Sequence, residues 1–592
     1  MFFDIFVHFK SCGLSFLFAN EITHWKKINL LNESLSSSKA LNNLHDLNKL
    51  TEQIQDFIEL ENISLGILLF PYSNKSKLYR WSPFIKSLRF KSEFDPLDID
   101  SNDLYKLSIQ NKQVTLLNNI NKDPLLTDLS SQGFKSGVLV PLIFDEKCIG
   151  IIEIFAKQNF YFDNYSFLKL QSITDILGSA FNHIQERKAE QVTSIIKTLC
   201  TNMHPSVEWR FKEMAEDYLA QQASNQIPKP RPIILKNVIP LYGLSDIRNS
   251  STIRNTAIQQ DLDIQLDAVI KIFELALTYD APSIYKELIY CLKKYKSNIS
   301  DGIRSGDEVR IHRYLKQTIE PTFENLSEIN KNIKEHIQSY LNRIDKSKNI
   351  FYEKRKTYDQ SVFIINEAIS LLVDHEQKSA QKAISHYFEK SITDGLDYNI
   401  YVGDSIIDHQ KISPIFVRHL YLWQLTTLCK AAWINNYLNE HLILPLELCH
   451  LILINSTPIT ILFNNEEKHF KVDGAYNARY EIIKKRIDKA TVFHQKDPSF
   501  HKSHPTHKSN RLTQPGYIAI VYSQEHEQKM VKELVEYLQE IRYLEPEAED
   551  LVIDDLQGVK GLNAIRAKIK KTIPYDFKIP PYLQELLDAY NK

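Results

Sequence analysis

The chain has 592 residues, a formal net charge of −1, and 43% hydrophobic and 24% charged side chains. This composition suits a folded protein with several cores, about four domains by length, and it excludes a bulk field for nucleic acid or an anionic membrane. Only 15 residues are glycine, against an average usage of roughly 7%, which favours long helices over a turn-rich all-β fold.

The opening "MFFDIFVHFKSCGLSFLFAN" is apolar, but Asp4, His8 and Lys10 interrupt it. It lacks a basic n-region and a small-residue cleavage site, so it reads as a packed or poorly ordered segment rather than an export signal. Leu44, Leu47, Leu50, Ile54, Phe57 and Ile58 recur at helical steps. "SLGILLF" then reads as a strand, "SLRFKSEF" as a second, "NDLYKLSIQNKQ" as a short helix and "VTLLNNI" as a third strand. "GVLVPLIF" and "CIGIIEIFA" form a hairpin around "DEK". A long helix follows, with a stripe through Phe167, Leu170, Ile173, Leu177, Phe181 and Ile184, and it continues to a break near Pro205. This order predicts an antiparallel sheet with helices on one face, an α+β layer architecture.

"NQIPKPRP" reads as an extended linker. A helix is expected from Thr252, and a stripe over 309–344 suits a helical bundle or a coiled-coil hairpin. "HLILPLELCHLILI" is too short to span a bilayer and contains Pro445 and Glu447, so it reads as buried core. Beyond it "PITILF", "AYNARYEIIKKRIDKA", "GYIAIVYS" and "EQKMVKELVEYLQEIRYL" alternate strand and helix, as in a small α/β sandwich.

The segment from Gly137 to Ile184 resembles the C-terminal half of a GAF domain, with Gly137, Pro141, Leu142, Gly150, Phe162 and Asp163 matching its pattern. The resemblance covers roughly residues 45–186. "IPLYGLSDIRNSSTIRNTAIQQDL", "HYFEKSITDGLDYNIYVG", "VDGAYNARYEIIKKRIDKA", "RLTQPGYIAIVYSQ" and "DLQGVKGLNAIR" are similar to segments of a family of bacterial GAF-domain proteins with no assigned reaction. The expected layout is an N-terminal segment (1–44), a GAF domain (45–188), exit helices and linker (189–235), a helical region (236–453), a small C-terminal α/β domain (454–576) and a tail (577–592). The fold class is α+β in the GAF domain, followed by helices and then α/β.

A GAF fold implies a regulatory pocket between the sheet and the segments that cross it. Arg89, Asn118, Asn119, Asp123, Thr127 and Ser136 are the polar candidates there, and a filled pocket used only for association is the alternative. "AKQNFYFDNYS" lacks the Asn-Lys pair and the Glu of cyclic-nucleotide binders, Cys148 is the one thiol for sulfoxide chemistry, and Cys12 alone does not make a bilin site.

In the later stretch Asp246, Arg248, Ser250, Ser251 and Arg254 flank the expected helix start. Ser250 or Ser251 would cap the helix and Gly243 would make a turn. The arginines would meet an anion or another domain at the positive helix end. His386, Glu389, Asp394, Asp397 and Tyr398 cluster in sequence, and a site at 386–404 with the C-terminal domain is the enzyme alternative. His494, His501, His504 and His507 read as a loop, with no metal function expected. The six cysteines have no zinc spacing, and no P-loop, dinucleotide, GxSxG, HExxH or kinase signature occurs. The expectation is a cytoplasmic, non-enzymatic regulator without a cofactor. It would sense a small molecule or a protein partner, as a homodimer or as a scaffold, and engage neither nucleic acid nor membrane.

Overall fold

The computed structural model describes residues 23–36, 44–70, 87–89, 104–159, 161–199, 204–223, 227–279, 282–407, 412–464, 469–473, 478–494, 510–554 and 560–590. The first 22 residues, the run expected as a strand beyond Arg89, and the histidine loop apart from His494 lie outside them. The chain forms two compact units, Met1–Thr201 with Arg210–Pro232 and Asn202–Trp209 with Ile233–Lys592.

The first unit holds α1 (Thr23–Ser36), α2 (Leu44–Ile58), β1 (Ser64–Leu69), α3 (Leu104–Asn111), β2 (Thr115–Leu117), α4 (Thr127–Ser131), β3 (Ser136–Phe144), β4 (Lys147–Ala156), α5 (Asn164–Gln171) and α6 (Thr174–Leu199), and α7 (Glu208–Ala223) straddles the boundary. Its sheet has the order β1-β4-β3-β2, antiparallel throughout. The hairpin turns at Asp145 and Glu146, with φ of 48° and 57°; two left-handed central residues match the twist of the flanking strands.

One face of this sheet buries Val138, Val140, Ile152 and Ile154 against Ile54, Phe57, Leu177 and Phe181 of α2 and α6. A Cβ at Gly178 would lie 1.9 Å from the Ile143 carbonyl oxygen, so α6 approaches β3 as closely as only glycine permits. Asp163 caps α5 by accepting from the Ser166 amide at 2.8 Å. The antiparallel sheet with its helices is α+β as expected, but helices cover both faces rather than one, because α3 and α4 pack on the second face. Ile28 and Leu31 of α1 share the core, so the domain begins before residue 45.

The second unit holds β5 (Ile234–Ile247), α8 (Ser250–Leu277), α9 (Ile284–Ser300), α10 (Asp307–Tyr314), α11 (Phe323–Ile329), α12 (Lys331–Arg343), α13 (Lys354–Ala383), β6 (Tyr387–Ile392), β7 (Gly395–Val402), α14 (Pro414–Asn439) and β8 (Leu448–Leu453). It continues with β9 (Ile459–Asn464), β10 (His469–Val472), α15 (Ala478–Arg486), β11 (Thr491–His494), β12 (Asn510–Arg511), β13 (Tyr517–Tyr522), α16 (Glu525–Glu540), β14 (Leu544–Ile553), β15 (Asn563–Ile569) and α17 (Tyr582–Tyr590). Among the described residues β5 to β15 make one 11-stranded sheet, ordered β10-β9-β5-β8-β13-β15-β14-β11-β12, with β6 and β7 branching from β5. Its pairs are antiparallel except β8 with β13.

This sheet corrects the expected division at residue 454, because β5 and β8 of the supposed helical region (236–453) pair with β9 and β13 of the supposed α/β domain (454–576). The fully buried β8 reads as apolar core, and a strand covered on both faces carries no alternation to betray it. α17 is also part of the core through Leu583 and Leu587, so 577–592 is not merely a tail. The 309–344 stripe is broken into α10, a π turn at Leu315–Ile319, α11 and α12. These pack on α8 and α9 through Leu266, Phe273, Leu315, Phe323 and Tyr340, as a bundle. The start of α13 is capped across the chain by Asp261 of α8, which accepts from the Lys354 and Arg355 amides, each at 2.9 Å.

Candidate functional site

Along β4 the side chains alternate, so Ile152 and Ile154 face the helices and Ile151, Glu153 and Phe155 face the other side. That second face is covered by α3 and α4, whose Tyr105 and Leu129 pack on Leu68, Leu139 and Phe155. Glu153 stands in the middle of it, between Gly66 of β1 and Leu139 of β3, and is fully buried. Gly66 makes the room: a Cβ there would meet Glu153 Oε2 at 2.3 Å.

The Glu153 carboxylate binds residues 87–88 and the helix α3. Its Oε1 accepts from the Ser87 hydroxyl at 2.6 Å and the Tyr105 hydroxyl at 3.0 Å, and its Oε2 accepts from the Leu88 amide at 2.5 Å. Gln132 donates to the Leu88 carbonyl at 2.8 Å, and the Arg89 guanidinium lies 4.8 Å from the centre of the Tyr105 ring. Burial raises the Glu153 carboxyl above the ordinary range, and the three donors and Arg89 oppose that shift.

Of the six expected pocket residues, Arg89 alone joins this cluster. Ser136 is buried but donates to the Gln158 carbonyl at 2.6 Å, which fastens the end of the hairpin. Asn118 and Thr127 are exposed, and Asn119 and Asp123 flank a short 3-10 turn, Ile120–Lys122. The expected constellation is therefore corrected to Glu153, Ser87, Tyr105 and Arg89, with Gly66 as its space. The signal missed was a carboxylate inside the apolar strand "CIGIIEIFA", since buried charges demand partners. The Cys148 thiol donates to the Gly150 carbonyl at 3.2 Å, and burial pushes it up, away from the reactive thiolate.

The later candidates are also rearranged. Gly243 is a strand residue rather than a turn, and the Tyr398 ring occupies the place of its missing side chain. Pro240 is tolerated where β5 changes neighbours from β9 to β8. α8 starts at Ser250 after Asn249, whose φ is 54°, and no side-chain bond caps it, so the capping role expected of Ser250 and Ser251 does not hold. Arg248, Ser251 and Arg254 are exposed, while Asp246 is half-buried in β5. Burial, then Asp488 and Asp394, push the Asp246 carboxyl up to about 6. That acidic surrounding contradicts an anion site at this residue.

The outer face of β5 and β7 forms a polar seam with α15. Tyr242 stands opposite Asn399, and Leu244 opposite Asp397. Lys484 Nζ lies 5.4 Å from the centre of the Tyr242 ring; burial raises the Asp397 carboxyl, and Lys484 opposes that shift only in part. Burial raises the hydroxyl of Tyr480, one turn before Lys484, and Tyr401, Glu481, Tyr421 and Tyr242 add to the shift. Thus Asp397 of the 386–404 segment does meet the C-terminal elements. His386 does not join it: this ring is buried, with Nδ1 2.8 Å from the Ile384 carbonyl and Nε2 2.6 Å from Gln377. On the inner face Ser245 Oγ and His450 Nδ1 are 2.9 Å apart, but both residues are 1% exposed, so the pair sits in the core away from any substrate. Among the described residues no group of three metal-type side chains converges.

A family model described as "YeeD uncharacterised protein" matches residues 256–369, from α8 into α13. No curated protein matches the chain. Among solved structures, the chain is similar to the GAF domain from an Acinetobacter phosphoenolpyruvate-protein phosphotransferase, at 17% identity over 29% of this chain and 99% of that one, with a TM-score of 0.22. It is similar to the GAF domain of the corresponding Coxiella burnetii protein, at 11% identity over 29% and 99%, with a TM-score of 0.23. It is also similar to free methionine-R-sulfoxide reductase from Neisseria meningitidis, at 16% identity over 30% and 98%, with a TM-score of 0.22. The α+β description of the first unit rests on its own strand order and register.

Proposed function

We propose that this chain is a regulatory protein whose first unit senses a small molecule or a protein partner. Glu153 carries the reading: a buried carboxylate at the centre of a sheet is costly, and here it holds Ser87 and Leu88 and the helix α3 at Tyr105. A ligand that exchanges with those donors frees Ser87, Leu88 and Tyr105. The same sheet carries α6 on its other face through the Gly178 approach, and α6 leads onward along the chain. The signal is then a shift between two arrangements of α6, driven by differential affinity for them.

Thiol-based sulfoxide reduction is disfavoured by the raised Cys148 thiol. Catalysis at 386–404 is disfavoured by the buried, hydrogen-bonded His386. No helix among the described residues is long and apolar enough to cross a membrane.

Native mass spectrometry of the protein purified from its host, wild type beside Glu153→Ala, tests the reading. A bound small molecule or partner retained by the wild type and lost from the variant supports it. Wild-type protein without any bound mass, or an adduct unaffected by the substitution, overturns it.

A further inference from the structure

We propose that residues 204–209 form a pH-sensitive strap, held on β6 and α13 while His204 is neutral and released when His204 takes a proton. This stretch lies in the second unit, although α6 before it and most of α7 after it lie in the first. It is a 3-10 turn, Pro205–Val207, that runs into the start of α7. Val207 is fully buried, the Trp209 indole donates to the Ile406 carbonyl at 2.8 Å, and the His204 ring meets the Tyr387 ring edge-on at 5.7 Å. The strap is independent of whatever binds at Glu153.

The hydrogen bonds fix the protonation state. His204 Nδ1 caps the turn: it accepts from the Ser206 amide at 3.3 Å and lies 2.8 Å from the Ser206 hydroxyl. A backbone N–H only donates, so Nδ1 carries no proton and the ring is neutral. On the other side, His204 Nε2 lies 3.4 Å from the Gln381 amide nitrogen. Two further bonds set that amide's orientation, since it donates to the His386 carbonyl at 2.7 Å and accepts from the His386 amide at 3.3 Å. A charged His204 would therefore face a donor at each ring nitrogen, with only the Ser206 hydroxyl able to turn and accept. Beneath the strap, β6 brings Tyr387, whose hydroxyl is taken by Glu389, and α13 brings Gln377, which holds the second ring, His386. The His204 shift comes from burial alone and is downward from 6.5, so neither Glu208 on the strap nor Glu389 compensates it. Burial, opposed by the Ile384 carbonyl and aided by His204, lowers His386 to about 4, so a second proton nearby is also resisted. The strapped state favours the neutral ring. Its hold is complete above about pH 6.5 and weakens as pH falls below that value.

Hydrogen exchange of the full chain at about pH 7.5 and about pH 5.5, corrected for the intrinsic pH dependence of exchange, tests the strap in the wild type and in His204→Asn. Asparagine keeps an acceptor suited to the cap and takes no proton. The readout is the protection of the Ser206 and Val207 amides, which bond to the ring and the carbonyl of His204. The expected result is a loss of about fivefold to tenfold in the wild type at the lower pH, and about twofold at most in His204→Asn. The His204 ring, followed by NMR in the wild type, is expected to titrate below 6.5. Constant wild-type protection, an equal loss in the variant, or a His204 ring that titrates at or above 6.5 overturns the strap. The ring titration needs only the wild type, so a variant that fails to fold leaves that refutation in place.

Discussion

Alanine at Gly66 would place a methyl carbon 2.3 Å from Glu153 Oε2 and 3.0 Å from the Leu88 nitrogen. The first distance is about 1 Å inside ordinary van der Waals contact, so the carboxylate must leave or Leu88 must lift. Leaving breaks three hydrogen bonds to a buried charged group, a loss of about 3–5 kcal/mol once non-additivity is allowed for. The reduced chain entropy of Gly→Ala returns about 0.4–1 kcal/mol. The expected net cost of Gly66→Ala is about 2–4 kcal/mol. In a Glu153→Ala background the oxygen is absent, and the same substitution should cost about 1 kcal/mol or less. The two changes should therefore couple by about 2 kcal/mol in a double-mutant cycle. Because the chain has two units, the assay is native-state hydrogen exchange at the amides of β1 and β4, which reads opening of this sheet alone. An equal cost of Gly66→Ala with and without Glu153 would refute the claim that glycine is there to house the carboxylate.

Gly178→Ala would bring a Cβ to 1.9 Å from a backbone oxygen that cannot rotate away. It should cost about 3 kcal/mol or more and raise hydrogen exchange along α6 selectively. For Asp246, the folded carboxyl titrates at about 6 against an ordinary value of 3.8. The folded state holds the extra proton, so this contribution to stability is fully present below about pH 4 and lost as pH rises through about 6. Asp246→Asn should remove that slope from the pH dependence of the unfolding temperature of the second unit. The gain at pH 7.5 should be on the order of 1–2 kcal/mol, allowing for solvent screening of a part-exposed group. Cys148 should react with iodoacetamide at pH 7 more slowly than an unstructured cysteine, because burial disfavours its thiolate.

The hairpin "GVLVPLIF"–"CIGIIEIFA" and the stripe of α6 were legible because each buries one periodic face, and period is what a sequence displays. β5 was not. Its Pro240 and Gly243 look like breakers, and their tolerance depends on a change of strand partner and on the distant Tyr398 ring. β8 was recognised as buried but not as a strand, since an element buried on both faces loses its alternation. The site was partly visible. Arg89 stands out as a polar candidate, but the group it serves does not, because Glu153 sits in an otherwise apolar run, where spacing announces nothing. Asp246 and Asp397 belong to separate clusters along the sequence, and register between β5 and β7 brings them to one face. Lys484 of α15 joins that face over the Tyr242 ring, which no spacing in the sequence announces.

The central claim is that the Glu153 face and α6 are two sides of one coupled sheet. Hydrogen exchange of the full chain, wild type against Glu153→Gln, measures this without knowledge of the ligand. Faster exchange in both Leu104–Asn111 and Thr174–Leu199 is the predicted result. Faster exchange confined to Leu104–Asn111, with Thr174–Leu199 unchanged, would contradict it.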